Sequence, residues 1–109
     1  MVYCLNVTEK RKPTYDLDAF RTASAVTLNV TGTAVRSAAA LGFGRAEIVA
    51  TIQIMRPAHF YKSMTAYGDH RVWQDVYHVP SAAGTLYVKF TVDAVTEFLL
   101  LSFKERDDD

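Results

Sequence analysis

Residues 60–77, FYKSMTAYGDHRVWQDVY, concentrate most of the side chains in this sequence that could do chemistry. Tyr61, Lys62, Tyr67, Asp69, His70, Arg71, Trp73, Gln74, Asp75 and Tyr77 all fall within that stretch, a density of polar and aromatic groups that strand packing alone does not require. Lys62 stands between apolar Phe60 and Met64 at alternate positions, so it is either a snorkelling surface lysine or a cation with a partner. Further along, Tyr87 lies beside Lys89 on the polar positions of GTLYVKFTV, where a phenol near an ammonium can exchange protons or stack on a base. His59, His70 and His78 supply the side chain most often used as a general base near neutral pH. Their spacing fits no recognised zinc pattern, and neither a metal nor a cofactor is expected. Cys4 is the only cysteine, which leaves no internal disulfide and no cysteine-rich zinc site to consider.

The elements that must position these groups belong to one domain, residues 1–109, because a chain of 109 residues has room for a single core. With 50% hydrophobic and 22% charged residues the composition is that of an ordinary globular protein, neither disordered nor fibrous. Apolar runs such as residues 98–101 are far shorter than the roughly 18 residues a membrane span requires. Residues 1–6 lack the basic start and the length of a signal peptide, so a soluble cytoplasmic protein is expected. Net formal charge is 0, but −3 of it resides in the acidic tail Asp107, Asp108 and Asp109, so the rest of the chain carries +3.

In chain order, residues 1–14 carry the cluster Glu9, Lys10, Arg11 and Lys12 before Pro13 and read as a mobile or edge segment. Asp16 is placed to cap a helix over residues 17–25 with Leu17, Phe20 and Ala23 on its apolar face. Val26, Leu28 and Val30 alternate with Thr27 and Asn29, which predicts a short strand. Thr33 is expected to cap a helix over residues 34–41 closed by Gly42, and Gly44 to start another over residues 45–55, with Ile48, Val49, Ile52 and Met55 as its stripe and Pro57 marking its end.

From His59 the period switches to two. Strands are predicted to about Thr65, over residues 72–79, over 85–92 with Leu86, Val88, Phe90 and Val92 on one face, and over 97–104. Residues 67–71 read as a loop able to gate a neighbouring site, 80–84 as a hairpin and 93–96 as the last turn. The near-continuous apolar run of the last strand predicts a central position covered on both faces. Trp73 and Tyr77 are expected in the core. The class is α+β, with N-terminal helices packed on one face of a mainly antiparallel sheet of four main strands and the other face free for a ligand.

The runs FYKSMTAYGDHRVWQDVY, GTLYVKFTV and LLLSFKE, with EKRKPTY at residues 9–15, closely resemble the MqsR family of bacterial toxins. The resemblance implies a RelE-like toxin fold and a ribosome-independent endoribonuclease that cuts single-stranded messenger RNA at a short GC-containing sequence, leaving a cyclic phosphate and a 5′-hydroxyl. It also implies a cognate MqsA-like antitoxin, through which alone the pair would touch operator DNA. Cleavage through the RNA's own 2′-hydroxyl needs a proton acceptor, a proton donor and cations for the phosphoryl oxygens, and metal is not obligatory.

By resemblance, Lys62, Gln74, Tyr87 and Lys104, one on each of the four predicted strands, match the family's catalytic positions. Lys62 is assigned to phosphate binding, with proton transfer as a further role. Gln74 cannot move protons and would hydrogen-bond a phosphate oxygen or base edge. Tyr87 would act as acid or base, and Lys104 would direct its cation at the phosphate. Arg71 and Lys89 are expected to contribute to RNA binding. His78 departs from the family, which tends to carry a basic residue after the VY pair, and is expected to take at most a phosphate or surface role. Against the ribonuclease stands a non-catalytic RNA- or protein-binding regulatory module, which the zero net charge favours and the coincidence of the four matched residues disfavours.

Overall fold

A computed structural model describes residues 7–93 and 97–106. Cys4, most of the expected turn at 93–96 and the acidic tail at 107–109 lie outside the described residues. Three helices, α1 (Leu17–Val26), α2 (Gly32–Ala40) and α3 (Arg45–Gln53), precede a five-stranded antiparallel sheet. Its strands are β1 (Glu9–Lys10), β2 (Phe60–Ala66), β3 (Asp69–Ser81), β4 (Gly84–Asp93) and β5 (Glu97–Glu105), in the spatial order β1-β2-β3-β4-β5. This is an α+β fold, consistent with the RelE-like arrangement, and β1 adds an edge strand to the four main ones.

The helices form where their caps are. Asp16 accepts the Asp18 amide at 2.9 Å and opens α1 as expected. For α2 the cap is Thr31 rather than Thr33: its hydroxyl oxygen accepts the Ala34 amide at 3.2 Å while donating to the Leu101 carbonyl at 3.1 Å. That second bond ties the cap to the sheet and sets the helix start two residues early. Gly42, at φ 84°, supplies the left-handed residue past its end. In α3 the Glu47 carboxylate reaches back to the Gly44 amide at 2.8 Å, and the helix stops at Gln53, with Met55 beyond it still fully buried. Pro57 opens a 3₁₀ turn, Pro57–His59, that leads into β2.

The strand expected over residues 26–30 does not form. Val26 completes α1, the Leu28 carbonyl accepts the Arg45 guanidinium at 2.7 Å, and only Val30 makes a bridge, parallel, to Leu100. The alternation there records Leu28 turning inward in a connecting segment. The same segment corrects the place of β5, which is an edge strand and not a central one. Its outer edge is closed by connecting backbone, Leu100 N–H to the Asn29 carbonyl at 2.9 Å and Thr31 N–H to the Leu100 carbonyl at 3.0 Å. Ala34 and Ala38 of α2, both fully buried, allow that helix to lie close on the strand. An apolar edge strand is thereby protected without a neighbour in the sheet.

The core lies between the helices and one sheet face. Phe20 stacks on Phe90 at 3.8 Å between centroids, and Tyr77, Val79, Leu86, Val88, Leu100 and Phe103 complete the sheet side. Tyr77 is in the core as expected, whereas Trp73 is only half-buried, with the Lys10 ammonium 4.2 Å above its ring. Val92, expected on the same apolar face, is 41% exposed at the end of β4 beyond that cover. The connection at 67–71 is not a loop. β3 begins at Asp69, so only Tyr67 and Gly68 turn the hairpin, with Gly68 at φ 83°. The β3–β4 hairpin is equally tight, Ser81 pairing with Gly84.

Residues 8–15 are sewn to the sheet by polar groups. Thr8 and Thr65 exchange two hydrogen bonds of 2.8 Å, and the fully buried Asp75 carboxylate accepts the Thr14 amide at 3.0 Å and the Tyr15 amide at 2.9 Å. Of the two readings of the N-terminal segment, an edge strand is what residues 9–10 form.

Candidate active site

One face of the sheet is covered by helices, and residues alternating with the core residues therefore point to the other face, which no helix among the described residues covers. On β3 these are Gln74, Val76 and His78. Strand pairing extends each into a rung across the sheet. Lys62, Val76, Lys89 and Ser102 form one rung; His78, Tyr87 and Lys104 form the next. Gln74 pairs with Met64, one step beyond the Lys62 rung. Neighbouring strands are about 4.8 Å apart, so a short span of single-stranded nucleic acid could reach both rungs. The sheet thus brings Lys62, Tyr87, Lys89 and Lys104 together and sets Gln74 beside them. It does not bring in Arg71, which stands exposed near the β2–β3 hairpin with its guanidinium 3.2 Å from Asp69.

A bulge explains why Lys62 faces this way. Phe60 pairs with Tyr77 but Lys62 pairs with the adjacent Val76, so Tyr61 is the extra residue. Phe60 consequently packs edge-on against Tyr77 in the core while Lys62 turns to the open face. Strict alternation had put both on one face. Tyr61 is turned the same way as Lys62, and its ring stacks on His78 at 4.1 Å and 21°.

The electrostatics follow from this crowding of cations. The Lys62 ammonium is bound by the Glu9 carboxylate of β1 at 2.6 Å and lies 5.4 Å from the Tyr61 ring. The Lys104 ammonium lies 5.3 Å above the Tyr87 ring. Burial, then the charges of Lys104 and Lys62, pull the Lys89 ammonium below the usual lysine range. Burial pushes the Tyr87 phenol up, against the opposing pull of Lys62, so it keeps its proton at neutral pH. Burial, then Arg106 and Lys62, hold His78 below the ordinary histidine range, leaving a neutral imidazole. Arrangements of this kind, a neutral base and a protonated acid among fixed cations, suit phosphoryl chemistry.

The sequence names Tyr61 only as one of a dense stretch and gives His78 at most a phosphate or surface role, and it does not bring Glu9 or Arg106 to this group. Glu9 is distant in the chain, and the Tyr61 bulge leaves no mark in a period-two pattern. His78 was legible: it is two residues along β3 from Val76, which puts it on the open face. His59, by contrast, accepts the Arg56 amide at 3.0 Å beside a concavity lined by Ile54, Arg56 and Pro80, and His70 is exposed. Among the described residues no three histidines, cysteines or acids gather where a metal would be held.

A family model described as motility quorum-sensing regulator, toxin of MqsA, matches residues 12–105. The chain is also 36% identical over 99 residues to the mRNA interferase toxin MqsR of Escherichia coli (strain K12), a match that covers 90% of this chain and 99% of that protein.

Proposed function

Because the chain belongs to the MqsR toxin family, we propose that it cuts single-stranded messenger RNA on the open sheet face, as the ribonuclease of a toxin-antitoxin pair. The observation that carries this reading is the gathering of Tyr87 with Lys62, Lys89 and Lys104 on adjacent strands, on the sheet face opposite the helices. In the transition state of cleavage, negative charge grows on the phosphoryl oxygens, and ammonium groups fixed in advance by the strands stabilise it without reorganising. Lys62 and Lys104 take that part. Gln74 donates its amide to a phosphate oxygen or a base edge, and Tyr87 handles a proton. Lys89, and more remotely Arg71, add sequence-independent attraction for the backbone.

The neutralising partner is an antitoxin similar to MqsA, the protein named in the family's description, and DNA is reached only through that complex. The substrate places the activity in the cytoplasm. No helix among the described residues is long and apolar enough to cross a membrane.

The test is to incubate the full chain, purified free of antitoxin and with chelator present, with a single-stranded RNA containing every triplet, and to map the cuts. Cleavage at a short recurrent sequence is expected, reduced by about 100-fold or more in Lys62→Ala and in Tyr87→Ala. Binding of that RNA without any cut would instead make the protein a non-catalytic binding module.

A further inference from the structure

We propose that His78 is the general base of the cleavage reaction, taking the proton from the ribose 2′-hydroxyl; this rests on the ribonuclease reading above. Three observations place it there. His78 shares a rung with Tyr87 and Lys104, and so occupies the same part of the face as the groups expected to act on phosphate. Tyr61, the bulged residue, stacks on the imidazole at 4.1 Å and fixes the plane of the ring, while the Tyr87 ring lies 6.0 Å away on the opposite neighbouring strand. The residue is also fixed in register by a regular stretch of the β3–β4 ladder, with no bulge on that side.

Its burial and the charges around it explain why it can serve as a base. From β2 comes Lys62, whose charge is shared with Glu9 of β1, and from just beyond β5 comes Arg106, while Lys104 lies further along the same rung over the Tyr87 ring. Burial first, and then the charges of Arg106 and Lys62, oppose protonation of the imidazole in the resting enzyme. Tyr87 would be a poor acceptor at neutral pH, because burial raises its phenol and the group holds its proton. Gln74 has no proton chemistry to offer.

The reaction then balances. The 2′-O–H bond breaks and its proton passes to the His78 imidazole, while the 2′-oxygen bonds to phosphorus. The bond from phosphorus to the 5′-oxygen breaks, and that oxygen takes the phenolic proton of Tyr87. A cyclic phosphate and a 5′-hydroxyl leave, and the imidazolium and phenolate return to their resting forms by proton exchange with water.

The experiment is single-turnover cleavage of a mapped RNA by the full chain and by His78→Gln and His78→Gly, across pH, with binding of the same RNA carrying a 2′-deoxyribose at the cut measured alongside. The parent rate should rise with pH through a midpoint below the ordinary histidine range. His78→Gln should lose about 100-fold or more in rate, together with that rise, while still binding the deoxy-substituted RNA. Added imidazole should restore cleavage to His78→Gly, which a purely structural role would not allow. Parent-like cleavage and pH profile in His78→Gln would overturn the assignment and leave the ribonuclease standing. Loss of binding of the deoxy-substituted RNA in that variant would overturn it in favour of a contact role. Failure of the parent chain to cut any RNA would remove both readings together.

Discussion

Glu9 is the residue whose placement changes most how the site works. Its carboxylate sits 2.6 Å from the Lys62 ammonium, the place that the proposed function gives to a phosphate oxygen of RNA. Lys62 is largely covered there and Glu9 is half exposed, so the carboxylate can be displaced by a polyanion with little desolvation cost. Glu9→Gln is therefore expected to tighten RNA binding by about 2- to 10-fold at low salt, an advantage that shrinks as salt rises, checked by titrating labelled RNA at two ionic strengths. A charge pair between residues 53 apart is not legible in sequence, since nothing in EKRKP indicates which lysine it will meet. Lys62, Tyr87 and Lys104 were legible in another way, through matched runs that carry positions without explaining them. His78 fell between the two, visible as a histidine at the right parity yet discounted for departing from the pattern.

At the scale of elements, the sequence marks what alternates and what caps, and loses what is made by contacts between distant segments. Asp16 and Gly42 announced their helix ends because capping is local chemistry. Thr31 did not, because half its commitment is to Leu101 across the molecule. β5 looked central because LLLSF is apolar almost throughout, and its edge is in fact closed by residues 29–31. α1 owes its place to Phe20, stacked on Phe90 with no exposure at all. Phe20→Ala should cost about 3–5 kcal/mol of stability, read by denaturant unfolding with unchanged slope. Asp75 fastens the N-terminal segment by two backbone amides. Asp75→Ala should destabilise by about 1–3 kcal/mol and, by loosening β1, release the Glu9 contact as well, so that proteolytic nicking near residues 8–15 becomes faster than in the parent.

Across the whole molecule, a net charge of 0 hides a division of labour. The helices and core occupy one side of the sheet, and Lys62, Lys89 and Lys104 collect on the other, so on the proposed function affinity for RNA would come from a local field rather than from the total. Log affinity should accordingly fall with log salt at a slope near −2, as about three neutralised phosphates on a single strand would give; a slope near zero would show that the lysines do not meet the backbone. The fold class was readable because helices and strands segregate along the chain. The open face was readable only in outline, since its composition depends on the Tyr61 bulge.

Because the reactive groups are rungs of a backbone ladder, their spacing belongs to the sheet and not to the side chains. A replacement at one rung is expected to change the chemistry offered there while the backbone keeps the neighbouring rungs at their spacing, and on the reading proposed above the histidine after VY is such a replacement. Such a surface can take up new chemistry by single changes without renegotiating its fold, because the fold is carried by the ladder and the opposite face.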